Sequence, residues 1–182
     1  FAEADHLDVL KAAQIVHDEG VAIPILLGRR GVIEELMQEM DFNEDVLIID
    51  PKSDEEEEHR KAYAQVYWKT RSRSGVTLYD AEKLMRERNY FAAMMVNEGD
   101  ADGLLSGYSR PYPAVVKPML ELIGMAPGVS RVAATNIMNT SRGPLFISDT
   151  SINIDPPAKD LAKIAQMTAR TVKLFGLEPV KG

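Results

Sequence analysis

The chain has 182 residues, 45% of them hydrophobic and 27% charged, a composition that suits a globular domain with a core of its own. Its 21 Lys and Arg against 28 Asp and Glu give a net charge of −7, which argues against non-specific nucleic-acid binding, since neutralising phosphates needs a basic face. With no Cys, disulfides, thiolate metal sites, Fe–S clusters and a cysteine nucleophile are excluded, and a reducing, cytoplasmic setting is expected. No apolar run approaches the roughly 20 residues that span a bilayer, so no membrane partner is expected. The chain opens on Phe1 rather than Met, and is expected to be a piece of something longer.

Residues His6 to Asp18 space Leu7, Leu10, Ala13, Ile15 and Val16 at close to helical period, with Gly20 as a stop. Ile23 to Leu27 is a short apolar run closed by Gly28, with Pro24 placing it at a strand start or an edge. Helical period returns from Gly31 to Met40, and Val46 to Ile49 reads as a second buried strand ended by Asp50-Pro51. Two strands without polar alternation, joined by a helix, indicate parallel βαβ packing.

Asp54 to Glu58 are five consecutive acids. They read as the solvated start of a helix capped by Ser53 and favoured by its dipole, or as a metal or basic-partner site. That helix continues to about Arg73 and stops at Gly75. Thr77 to Arg88 reads as another helix, with Thr77 as cap. Phe91 to Val96 is apolar throughout, and Leu104 to Gly107 reads as the end of a short buried strand. A loop through Arg110-Pro111-Tyr112-Pro113 leads into a helix from Ala114 to Ile123. Pro127-Gly128 marks the expected boundary between a first α/β subdomain, 1–127, and the start of a second, 128–182. Val132 to Met138 and Leu145 to Ile147 are β-rich, and Asp155 before Pro156-Pro157 starts a last helix ending near Phe175 and Gly176. The whole predicts a doubly wound, mainly parallel α/β sheet that gathers ligands at the carboxyl ends of its strands.

No phosphate loop, dinucleotide fingerprint or H-E-x-x-H is present. His6, His17 and His59 fall on helices or their ends in charged surroundings, a pattern of solvent-facing rather than metal-binding groups, and no metal site is expected. Three loops carry chemistry. Arg71-Ser-Arg-Ser-Gly75 could grip a phosphate through guanidinium donors, or simply close a helix with cations. Ser106-Gly107-Tyr108-Ser109-Arg110 lets a ligand approach the backbone beside a positive charge, with Lys117 one turn into the next helix, or is an ordinary turn. Ser148-Asp149-Thr150-Ser151-Ile152-Asn153 could hydrogen-bond a ligand, or is a polar strand end.

Those loops also carry a family resemblance. Arg71 to Thr77, then Gly99-Asp-Ala-Asp102-Gly103-Leu-Leu-Ser106-Gly107, then Phe146-Ile-Ser-Asp149-Thr150 and Gly176-Leu-Glu-Pro179 occur in an order that resembles the phosphate acetyl/butyryltransferases. Tyr112-Pro113, Gly128-Val129-Ser130-Arg131 and the stretch from Asn153 to Pro156 are most similar to the phosphotransacetylase-like C-terminal domain of NADP-dependent malic enzymes. The resemblance implies two α/β subdomains of the isocitrate/isopropylmalate-dehydrogenase type with an acyl-CoA site in a cleft, and a dimer through this module. It also implies that the second subdomain is incomplete here.

For function it implies a regulatory, acetyl-CoA-binding and oligomerising domain. Malate oxidation with NADP and a divalent metal would belong to an N-terminal part absent from the chain. The alternative is an active phosphate acetyltransferase. By the resemblance Arg71, Ser106, Gly107, Ser109, Arg110, Tyr112, Lys117, Asp149 and Thr150 contact acetyl-CoA or phosphate, with Arg71 and Lys117 catalytic if transfer occurs. Lys117 stands where the family carries arginine before proline; it keeps the charge and loses the bidentate fork, which weakens the case for transfer. Ser141-Arg142-Gly143 spells a catalytic tripeptide of active members, but it joins two strands here and reads as coincidence.

Overall fold

The computed structural model describes residues 1–179. It forms two compact units, Phe1–Gly124 and Met125–Gly182. The first contains α1 (Leu7–Asp18), β1 (Ile25–Leu27), α2 (Arg30–Glu39), β2 (Leu47–Ile49), α3 (Glu57–Arg71), a 3-10 turn (Ser72–Ser74), α4 (Leu78–Leu84), α5 (Arg88–Glu98) and α6 (Tyr112–Leu122). The second contains β3 (Thr135–Thr140), β4 (Gly143–Ser148) and α7 (Ala158–Leu174).

In the first unit β1 and β2 pair in parallel, in the register Ile25 with Leu47, Leu26 with Ile48 and Leu27 with Ile49, as βαβ packing required. Successive side chains leave a strand on opposite faces, and this sorts the core. Leu26 and Ile48 join Leu10, Ala13, Ile33, Met37 and Phe42 from α1, α2 and the turn after α2. Leu27 and Ile49 join Tyr63, Ala64, Tyr67, Phe91 and Met94 from α3 and α5. Helices therefore cover both faces. Residues 1–4 extend the layer beside β1: the Phe1 ammonium donates to the Ile25 carbonyl (2.9 Å), and the amides of Leu27 and Ala4 donate to Phe1 and Leu27 carbonyls. Their other edge meets Leu105, whose carbonyl accepts from the Ala2 amide at 2.9 Å. Leu104 to Gly107 thus runs beside the layer without forming the expected strand, since a single backbone bond joins it to residues 1–4.

Several helix starts differ from expectation for local reasons. α3 has Glu56, not Ser53, at its N-cap, because the Ser53 and Pro51 carbonyls turn inward to accept from the buried Arg60 guanidinium. Thr77 does cap α4: its hydroxyl accepts from the Asp80 amide and the Asp80 carboxylate accepts from the Thr77 amide, a complete capping box. The apolar run 91–96 lies in α5, whose residues Asn89 to Met95 are all buried, so no polar face shows in the sequence. α6 begins at Tyr112 and keeps Pro118 in its interior. A proline there removes the donor to the carbonyl four residues back. That carbonyl, of Ala114, instead accepts from the buried Asn89 side chain at 3.3 Å.

In the second unit β3 and β4 form an antiparallel hairpin, Thr140 opposite Gly143, beside the parallel pairing of the first unit's strands. A two-residue connection permits only an antiparallel return. Pro157, not Asp155, sits at the N-cap of α7, with no side-chain cap.

Candidate functional site

The carboxyl ends of β1 and β2 and the loop after Leu105 lie together in the first unit. Sequence reasoning passed over the residue that organises this loop, Glu3. Its carboxylate is 1% exposed and accepts from the backbone amides of Gly107 (2.8 Å), Tyr108 (3.0 Å) and Ser109 (2.8 Å), and from the Ser109 hydroxyl at 2.5 Å. Burial by itself would raise the Glu3 pKa, but the bonds from Ser109, Gly107 and Tyr108 outweigh it and hold the carboxyl down at about 2. The Ser106 hydroxyl reaches Glu3 at 3.3 Å and donates to Asn89 at 2.7 Å, which ties the loop to α5 and, through Ala114, to α6. Gly107 adopts φ +107°, a conformation open chiefly to glycine, and this lets three successive amides converge on one carboxylate. The backbone of Ser106–Ser109 thus cradles an anion supplied by the chain itself. Tyr108 extends outward and donates to Asp8 at 2.6 Å, while Arg110 and Tyr112 are exposed.

Arg71 and Lys117 meet at Glu121. Arg71 Nη2 and Lys117 Nζ lie 3.6 Å and 4.0 Å from its Oε1, while the Tyr67 and Tyr90 hydroxyls donate to its Oε2 at 3.0 Å and 2.7 Å. The tyrosines fix the carboxylate through one oxygen, and both cations stand loosely against the other. Neither contact is a close, charge-assisted bond of about 2.7–2.9 Å, so an incoming anion finds two positioned and unsaturated cations. Arg71 Nε is out of solvent contact and has no partner among the described residues. Burial, then the bond to Glu121, raises the pKa of both Tyr67 and Tyr90, which keeps them neutral donors.

Asp5, also unremarked in the sequence, carries a second ion cluster. Its side chain is 6% exposed and meets both Arg88 nitrogens (2.5 and 3.0 Å) and Arg29 Nε (3.3 Å). Burial would raise its pKa, but the two guanidinium groups bring it to about 2.

In the second unit Asp149 accepts from the amides of Ala134, Ser151, Ile152 and Asn153 and from the Asn153 side chain. Burial opposes these bonds, which still depress its pKa strongly. Thr150 donates to Asn136 at 3.2 Å. Both are held as parts of the turn after β4. Ser141-Arg142-Gly143 forms the β3–β4 turn with Gly143 at φ +115°, in the connection where the sequence put it. Among the described residues no group of three or more His, Asp or Glu could hold a metal ion.

The Phosphate acetyl/butaryl transferase family model matches residues 1–181. The chain belongs to this family. It is 35% identical over 181 residues to a phosphate acetyltransferase of Synechocystis sp., covering 97% of this chain and 25% of that protein. It is 34% identical over 182 residues to an NADP-dependent malic enzyme of Escherichia coli, covering 97% of this chain and 24% of that one. A phosphotransacetylase crystal structure from Streptococcus pyogenes superposes with a TM-score of 0.84 at 35% identity, over 98% of this chain and 54% of that one. The chain therefore spans about a quarter of each of these two curated relatives and about half of the solved transacetylase, and its mixed α/β fold with a parallel sheet is that of the family.

Proposed function

We propose that the chain is part of a phosphate acetyltransferase, moving an acetyl group between CoA and inorganic phosphate. The observation that carries this reading is the meeting of Arg71 and Lys117 at Glu121. A phosphate oxygen would attack the thioester carbonyl, forming the new C–O bond. The C–S bond would then break, and the CoA thiolate would leave and take up a proton. Both the phosphate and the oxyanion that develops on the carbonyl carry negative charge, so two positioned cations stabilise the attack electrostatically. Glu121, pinned by Tyr67 and Tyr90, sets their separation before phosphate arrives. Phosphate acetyltransferases lead the similar proteins, and the sequence's first reading, a malic-enzyme regulatory domain, is the less supported of the two.

That second reading keeps one specific support, the malic enzymes matched over nearly the whole of this chain. In it the same two cations would hold acetyl-CoA as a regulator, with NADP and metal bound elsewhere in a longer, oligomeric protein. One preparation of the full-length protein decides between them. Acetyl-CoA formed from acetyl phosphate and CoA supports the transferase. Malate-dependent NADP reduction that responds to acetyl-CoA, without transfer, supports regulation.

A further inference from the structure

A second candidate site lies within the first unit, away from Arg71 and Lys117. A cavity of about 420 Å³ opens at the carboxyl ends of β1 and β2, between Gly28 and Pro51. This is the crevice where open parallel sheets collect ligands, and its volume is that of a small-molecule site rather than a single ion. Five cationic side chains line it, Arg29, Lys52, Arg86, Arg88 and Arg110, against three carboxylates. Two positive charges are thus in excess, in a chain whose net charge is −7.

The cations differ in how far they are committed. Arg88 and Arg29 share Asp5, which leaves that trio positive. Arg86 donates to the Lys52 carbonyl at 3.2 Å, a neutral acceptor. Lys52 and Arg110 are exposed and form no ion pair among the described residues. The N-cap residues of α1, α2 and α5, namely His6, Arg29 and Glu87, also line the cavity, and none makes a side-chain capping bond. The partial positive charges of three helix starts therefore add to the field of the side chains.

The cavity is remote from the Arg71–Lys117 pair. Arg60 binds the Pro51 carbonyl at the cavity end of α3, and Arg71 closes the other end of that helix, about 16 Å further along its axis at 1.5 Å per residue.

We propose that this cavity binds a small molecule carrying two or more phosphoryl charges, held by Lys52, Arg29, Arg86 and Arg110. Arg88 serves as the fixed floor, locked by Asp5. Charge-assisted bonds to phosphate need donors that are not already saturated, and Lys52, Arg110 and the exposed Arg29 meet that condition.

Isothermal titration of the full-length protein at low salt tests this with two probes, pyrophosphate and ADP. Saturable binding of either with Kd below about 1 mM is expected, weakening as salt is raised. The double variant Lys52→Gln/Arg29→Gln should weaken it about tenfold or more, while Arg71→Gln leaves it within about twofold. Binding of pyrophosphate alone identifies an inorganic or terminal diphosphate as the ligand, and binding of ADP alone identifies a nucleotide. Since Lys52 is exposed and forms no ion pair among the described residues, Lys52→Glu serves as a second variant that folds independently of the Asp5 cluster and should abolish binding. Absence of saturable heat with both probes overturns the proposal. So does binding that is lost in Arg71→Gln, or that persists unchanged in the Lys52 variants.

Discussion

Replacing Glu3 by Gln removes a charge that four donors converge on, and the structure sets the size of the effect. The carboxyl is held near pKa 2 against an ordinary 4.5, so ionised Glu3 stabilises the fold over its neutral form by about 3 kcal/mol at 1.36 kcal/mol per pKa unit. Gln resembles the neutral form and must turn its NH2 either toward the Gly107 and Tyr108 amides or toward the Ser109 amide and hydroxyl, so the loss at neutral pH is of that order or larger. Trp68, the only tryptophan, lies on α3 in the same unit and reports its unfolding by fluorescence. With an urea m-value of about 2 kcal/mol per M, the midpoint should fall by about 1.5 M. A depressed folded-state pKa contributes stability that is complete above the unfolded value and is lost as pH falls through the folded one. The gap between wild type and variant should therefore be constant above about pH 5, and narrow by roughly 1.4 kcal/mol per unit below about pH 4.5. An unchanged midpoint at pH 7, or a gap that ignores pH between 5 and 3.5, would refute the reasoning.

Three further outcomes follow from the same geometry. Arg88→Ala leaves the buried Asp5 carboxylate with only the exposed Arg29, and should cost about 3 kcal/mol by urea titration; Arg88→Lys, which keeps one charged donor, should cost about half as much. Asp149→Ala strands three backbone amides in the turn after β4, those of Ser151, Ile152 and Asn153, and the Ala134 amide just before β3. Limited proteolysis should then cut between Ser148 and Pro156 at least about tenfold faster, through a local loss of about 2 kcal/mol. Lys117→Arg gives the pair beside Glu121 a second bidentate fork, and steady-state kinetics should show KM for phosphate falling severalfold, by about 1 kcal/mol of binding.

How legible each part was follows from the range of the interaction that fixes it. Thr77 and Asp80 cap α4 within four residues, so the sequence alone places that helix start. The β1–β2 pairing is legible because both strands are buried runs with no polar alternation. α5 is not, because a helix buried on all sides loses the 3.6-residue period that would identify it. Ser53 fails as a cap for a reason that lies seven residues on, in the Arg60 guanidinium. Glu3 and Asp5 are the largest omissions. Their partners, Gly107 to Ser109 and Arg88, lie more than 80 residues away, and neither an acid between alanines nor one between Ala4 and His6 carries a local signal. Ser106, Gly107 and Ser109 were expected to face a ligand. In the structure the amides of Gly107 and Ser109 and the hydroxyls of both serines bond Glu3 or Asn89. Arg71 and Lys117 were legible as a cation at a helix end and a cation one turn into a helix, and what unites them is Glu121, one turn beyond Lys117.

The most direct test of the transferase reading is the phosphate dependence of acetyl-CoA consumption by the full-length protein, wild type against Arg71→Gln. If Arg71 and Lys117 hold the phosphate, kcat/KM for phosphate falls about a hundredfold in the variant, some 2.7 kcal/mol of transition-state stabilisation, with the urea midpoint moved little. A variant within about threefold of wild type, or a wild type that consumes no acetyl-CoA with phosphate, would contradict it.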